Sequence, residues 1–151
     1  MSRTIKNLRP SLNSRYKQGY IDQNTCRKLF PQLKHDNIIY RSSYEKKFIY
    51  FLENNDNIKY WGSECFHIPY YSVLDKKIHK YYPDYFIELQ NGTCIVVEVK
   101  PYNQTHKPIN ENSWTFHEYI KNMCKWKATK EFCEAKGYLF RIITEKTINQ
   151  L

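Results

Sequence analysis

Hydrophobic and polar positions alternate most regularly in "YFIELQNGTCIVVEV" (85–99), where two apolar runs flank Gln90-Asn91-Gly92. Alternation of this kind predicts strands, and a short polar segment ending in glycine predicts the hairpin turn between them. Three-residue loops commonly close on a residue at positive φ, and Gly92 suits that position. Leu89 opposite Thr93 then sets the register, with Asp84 opposite Glu98 and Tyr82 opposite Lys100. Side chains alternate along a strand, so Asp84, Phe86, Glu88, Val96, Glu98 and Lys100 share one face. Tyr85, Ile87, Leu89, Ile95, Val97 and Val99 form the other, which is continuously apolar. A two-residue Asn91-Gly92 loop would separate Asp84 from Glu98, so the pairing of the acids depends on loop length.

The flanking pattern supplies the other elements. In "SSYEKKFIYFLENNDN" (42–57), Ser42 followed three residues later by Glu45 fits a capping box, and Tyr44, Phe48, Phe51 and Leu52 keep helical spacing up to Asn54-Asn55. Glu45 lies on the face of Phe48, Ile49 and Leu52, toward the core. A short helix is expected over Thr25–Leu33 despite Pro31. Lys59–Ser72 reads as a first strand, with Pro69 at an edge or bulge. After a polar turn at Asp75-Lys76-Lys77 come a second strand, Lys80–Leu89, and a third, Thr93–Lys100, stopped by Pro101. Ser113 and Gly137 bracket a long helix, Trp114–Lys136, whose apolar residues occupy more than one face. Tyr138–Thr144 is the last strand. The order α-β-β-β-α-β predicts an α/β fold, a mixed sheet flanked by helices, because a crossover helix imposes parallel pairing beside the antiparallel hairpin.

Composition narrows the class. A chain of 151 residues suits one domain, here a basic N-terminal extension (1–40) and a core (41–144). Net charge is +9, of which residues 1–36 hold +6: eight basic residues against Asp22 and Asp36. Such a field suits a polyanion, nucleic acid first and an anionic membrane surface second; a lysine-rich soluble surface explains it equally well. The five cysteines form no CxxC pair and fall in apolar segments, reading as reduced, buried thiols of an intracellular protein rather than a disulfide framework. No apolar run approaches the ~18 residues of a membrane span, and no secretory signal is evident. The histidines lack zinc-site spacing. The 25 aromatic residues could stack on bases, but core packing claims them first.

The chemistry sits in the hairpin. Opposed carboxylates repel by roughly 0.2–1 kcal/mol. Either a hard divalent cation neutralises Asp84 and Glu98, or Lys100 pairs with one of them on a solvated sheet face. Pro83-Asp84, thirteen residues, then Glu98-Val99-Lys100, behind a helix with an inward Glu45 and ahead of a long helix and strand, resembles the PD-(D/E)XK nuclease superfamily. Over nearly the whole length, "NLRPSLNSRYKQGY", "IIYRSSYE", "YYPDY" and "EVKPYNQTHKP" resemble the head-completion nuclease family of T-even-like bacteriophages. A TnsA-type transposon endonuclease domain is similar more distantly.

The resemblance implies a restriction-endonuclease-like core and Mg²⁺- or Mn²⁺-dependent hydrolysis of DNA in phage head completion after packaging. It would act in the cytoplasm of the infected bacterium or associated with the virion, with head or neck proteins as partners and no membrane. The same resemblance makes Asp84, Glu98 and the Val99 carbonyl metal ligands, and Lys100 the residue that orients water and stabilises phosphorane charge. Glu45 either completes the metal shell, orders a metal water, or serves only as a helix cap. Arg3, Lys6, Arg9, Arg15, Lys17, Arg27 and Lys28 are candidates for phosphate-backbone contacts; Glu88, about 13 Å along the strand from Asp84, is a rim residue. Gln104, Lys121 and Lys125 could touch DNA from the following loop and helix, but read first as solvated polar positions. The competing reading is a non-catalytic DNA-binding virion assembly protein that keeps the fold.

Overall fold

A computed structural model of the chain describes residues 19–33, 38–110 and 112–148. The elements in order are β1 (Gly19–Ile21), β2 (Ile38–Tyr40), α1 (Ser43–Asn54), β3 (Ile58–Ser63), β4 (Ile68–Ser72) and β5 (Lys77–Tyr81). There follow β6 (Tyr85–Leu89), β7 (Cys94–Val99), α2 (Trp114–Lys136), β8 (Leu139–Ile143) and the single turn α3 (Glu145–Ile148). The central sheet has the order β3-β6-β7-β8, antiparallel except for the parallel pair β7–β8 across the α2 crossover. This is the expected mixed sheet, reached through the expected α-β-β-β-α-β order once the β1–β2 pair, the β4–β5 ribbon and α3 are set aside.

The register rests on the hairpin turn. Tyr85 pairs with Val97, Phe86 with Val96 and Ile87 with Ile95. Leu89 N–H donates to the Thr93 carbonyl at 2.8 Å, and Gly92 N–H donates to the Leu89 carbonyl at 3.0 Å, with Gly92 at φ +88°. A Cβ on Gly92 would meet nothing within 4 Å. Gly92→Ala is therefore expected to cost only the left-handed conformation, about 1–2 kcal/mol, seen as a lower melting temperature.

Sheet alternation divides the core as the pattern predicts. Tyr85, Ile87 and Val97 pack with Phe48, Ile49 and Leu52 of α1, while Phe86 and Val96 pack with Phe30, Leu33 and Cys133 of α2. Leu29 and Leu52 are fully buried, each worth roughly 1.5–3 kcal/mol. Residues assigned to the extension thus supply core side chains. On α2 the buried positions Asn122, Trp126, Thr129 and Cys133 form one stripe, while other apolar residues, exposed Trp114 among them, lie on further faces as expected. Among the described residues Cys26, Cys65 and Cys133 are buried thiols. No helix among them is long and apolar enough to cross a membrane.

Three expectations fail for identifiable reasons. Thr25–Leu33 forms no α-helix; two 3₁₀ turns, Gln23–Thr25 and Pro31–Leu33, flank an extended piece. That piece hydrogen-bonds to β3 instead of to itself: Phe30 N–H donates to Trp61 C=O at 3.0 Å and Trp61 N–H to Lys28 C=O at 2.9 Å. The Glu53 carboxylate accepts from Arg27 N–H, Lys28 N–H and Trp61 Nε1–H, which fixes the piece along the sheet edge.

The predicted strand Lys59–Ser72 is two strands, broken where Glu64 takes φ +49°. Lys80–Leu89 is likewise split into β5 and β6 at Tyr82-Pro83-Asp84. The two breaks are joined, because Glu64 N–H donates to the Asp84 carbonyl at 3.1 Å. They release β4 and β5 from the central sheet as a separate antiparallel ribbon that packs on α2, with Pro69 on an edge strand as anticipated.

Candidate active site

The site forms where α1 begins, β6 begins and β7 ends. Asp84 sits in the break before β6, and its carboxylate accepts from Val99 N–H at 2.7 Å. The side chain thus takes the place of a ladder partner and fixes itself beside β7. Glu98, 3% exposed, accepts a hydrogen bond from the Tyr81 hydroxyl and stands 3.5 Å from Lys100 Nζ. Lys100 N–H donates to Ile143 C=O at 2.9 Å, so the parallel strand β8 holds the backbone that carries the ammonium.

Glu45 reaches the cleft from the first turn of α1. Ser42 Oγ accepts from Glu45 N–H at 3.2 Å, one half of a capping box. The reciprocal bond is displaced by one residue: Glu45 Oε2 accepts from Arg41 N–H instead of Ser42 N–H. Arg41 also pairs with Glu64 at 2.5 Å, which brings a second acid to the mouth of the site. A cleft of about 230 Å³ opens between Arg41, Glu45, Asp84, Val99, Lys100 and Gln104.

The charges are unbalanced toward acid. Burial, then the nearby Glu98 and Glu45 carboxylates, pushes the Asp84 carboxyl well above its ordinary value, against the Val99 N–H and Lys100. Burial also raises Glu45, outweighing the Arg41 N–H and guanidinium, with Glu64 and Glu98 adding to the effect. For Lys100, burial opposes the charged form, but Glu98 and Asp84 prevail and hold the ammonium above its usual value. Tyr81 is raised well above the phenol range by burial, Glu98 and Asp84, so it remains a hydrogen-bond donor.

Asp84, Glu98 and the Val99 carbonyl are the groups here that could hold a divalent cation. Among the described residues no group of three His, Cys, Asp or Glu side chains is arranged to hold an ion by itself. The hairpin offers two carboxylates and the Val99 carbonyl, with room for water in an open cleft. Mg²⁺ favours such sparse oxygen sites over closed protein cages. Repulsion between Asp84 and its acidic neighbours is what an ion would relieve.

Asp84, Glu98, Lys100 and Glu45 therefore come together as the spacing indicates, and Glu88 lies away from them, paired across the strands with Tyr60 and Cys94. Lys28 is not brought to the cleft. Its ammonium donates to the Asn55 carbonyl at the far end of α1, about 15 Å from Glu45 by helix rise. Exposed Arg27 sits beside it. Arg3, Lys6, Arg9, Arg15 and Lys17 lie outside the described residues. Tyr81, Arg41 and Glu64 were missed; no local pattern marks a phenol seventeen residues from its acid, or an acid in a left-handed turn.

The family model of the TnsA-like endonuclease N-terminal domain matches residues 55–145, a span holding Asp84, Glu98, Lys100 and the whole central sheet. The chain belongs to that family. The head completion nuclease of Enterobacteria phage T4 is 32% identical over 124 residues, which cover 76% of this chain and 83% of that relative. In this TnsA-like chain the mixed sheet with its flanking helices is a restriction-endonuclease-like core. Glu45 falls before the matched span, so its place in the site rests on geometry.

Proposed function

We propose that this TnsA-like chain is a metal-dependent DNA endonuclease of the PD-(D/E)XK type. The observation that carries the reading is the hairpin register, which sets Asp84 beside Glu98 with Lys100 at 3.5 Å from the latter. Asp84, Glu98 and the Val99 carbonyl would hold the cation, Mg²⁺ or Mn²⁺, which would supply polarisation of the scissile phosphate and acidification of a water. Lys100 orients the attacking water and stabilises charge that develops on the phosphate oxygens. Tyr81 fixes the second oxygen of Glu98, and Val99 N–H fixes one oxygen of Asp84, so neither carboxylate must reorganise. Glu45, already tied to Arg41 N–H, orders water at the open side of the cleft. The products are a 5′-phosphate and a 3′-hydroxyl.

The proposed setting is supported by likeness to the T4 relative, which is named for head completion. The chain is proposed to act on DNA after packaging, in the cytoplasm of an infected bacterium or carried with the virion, with head or neck proteins as its partners. The test is cleavage of plasmid and linear DNA in Mg²⁺, Mn²⁺ and EDTA. Cutting with either metal and none in EDTA is expected. DNA binding without cleavage in every metal would leave a non-catalytic assembly protein.

A further inference from the structure

A second cleft lies between the β4–β5 ribbon and α2. It measures about 800 Å³ and is lined by Tyr70, His79 and Lys80 of the ribbon and by Lys121 and Lys125 of α2. The two helix lysines are four residues apart, so they project from one face about 6 Å apart along the axis. Among the described residues no carboxylate lies within ion-pair distance of Lys80, Lys121 or Lys125. Of the two acids at the cleft, Asp75 is already engaged, with His79 at 2.6 Å and Lys77 N–H at 3.1 Å. Glu118, one helical turn before Lys121, is the other.

The cleft is joined to the active site through two contacts. Lys125 Nζ lies 5.4 Å over the Tyr81 ring, and the Tyr81 hydroxyl donates to Glu98. Burial, then the nearby Lys100, lowers the Lys125 ammonium from its usual value, outweighing the Glu98 and Glu118 carboxylates. Lys76 and Lys77 extend the basic surface along the exposed ribbon tip. Unpaired cations in an open groove beside a phosphodiester-cleaving centre suit a polyanionic strand more than a small ligand.

We propose that the groove between the β4–β5 ribbon and α2 binds the phosphates of the DNA strand adjoining the scissile bond, through Lys80, Lys121 and Lys125. The proposal rests on the nuclease reading and extends it by assigning a path for the substrate. Lys80 and Lys121 are its positioning residues, since neither touches the reacting atoms.

The test compares Lys80→Ala/Lys121→Ala with Lys127→Ala/Lys130→Ala, which removes the same charge from the opposite face of α2. Duplex binding is measured over a salt titration in an Asp84→Asn background, where cleavage is silent. The groove pair is expected to lower the slope of log Kobs against log salt by about 2, roughly one per phosphate contact, and the control pair to change it little. In the otherwise unmodified chain, the groove pair should raise KM more than it lowers kcat. Equal slopes and equal KM values for the two pairs would overturn the groove. A wild-type chain that cuts no DNA with either metal would overturn the nuclease reading, while the binding slopes would still decide the groove.

Discussion

Asp84→Asn is expected to abolish metal-dependent cleavage and, in EDTA at neutral pH, to melt above the wild-type chain. Asn keeps an oxygen for Val99 N–H, so the local fold has no reason to open. What it removes is a carboxylate pressed by burial, Glu98 and Glu45. Because the folded-state carboxyl binds its proton more tightly than the unfolded one, wild-type stability falls as pH rises from the ordinary Asp range through the raised folded value. The advantage of Asn is therefore full above that window and vanishes near pH 4. About 1 kcal/mol is expected, or roughly 2–4 °C for a chain of this size. Glu98→Gln should also stop cleavage, but without the same gain, since Glu98 already has Lys100 and Tyr81 as partners. Lys100→Ala should lower kcat by roughly 10²–10³-fold, the usual loss of one preorganised electrostatic group. A melting temperature that drops for Asp84→Asn in EDTA would make Asp84 a structural ion-pair partner.

Glu45→Gln separates a cap from a catalytic acid. The side chain accepts from Arg41 N–H, and Gln can accept the same bond, as it does in capping boxes generally. Burial, which raises the Glu45 carboxyl, outweighs the Arg41 groups that favour its charge, so on neutralisation the melting temperature should hold or rise slightly at neutral pH. Cleavage should nevertheless fall by about 10²-fold, because Gln cannot supply negative charge to the cation or its waters. Wild-type rates across a Mg²⁺ titration would reduce Glu45 to a helix cap and leave the hairpin as the whole site.

The hairpin was legible because three local signals agree: alternation, a glycine at the turn, and an apolar face that one register alone keeps intact. The breaks were not. Glu64 in a left-handed conformation carries no compositional mark, since glycine or asparagine is the usual sign of one. Its role appears only when its N–H is seen bonded to the Asp84 carbonyl. Likewise, Tyr82-Pro83-Asp84 looks like a strand with a proline in it until the β4–β5 ribbon is found packed on α2. The helix expected over Thr25–Leu33 is absent for the opposite reason. Apolar spacing over Thr25–Leu33 is real, but a tertiary partner, β3, takes its backbone hydrogen bonds.

That extended piece along β3 bears on self-association. Residues 28–30 occupy hydrogen-bonding groups of the outer strand that would otherwise invite another chain. On the other side, β8 pairs only with β7 among the described residues and places Arg141 in its middle. Covering part of the β3 edge leaves the central sheet one freer edge, at β8, which works against chain-to-chain stacking through this sheet. Glu53, through its bonds to Arg27, Lys28 and Trp61, holds that cover in place.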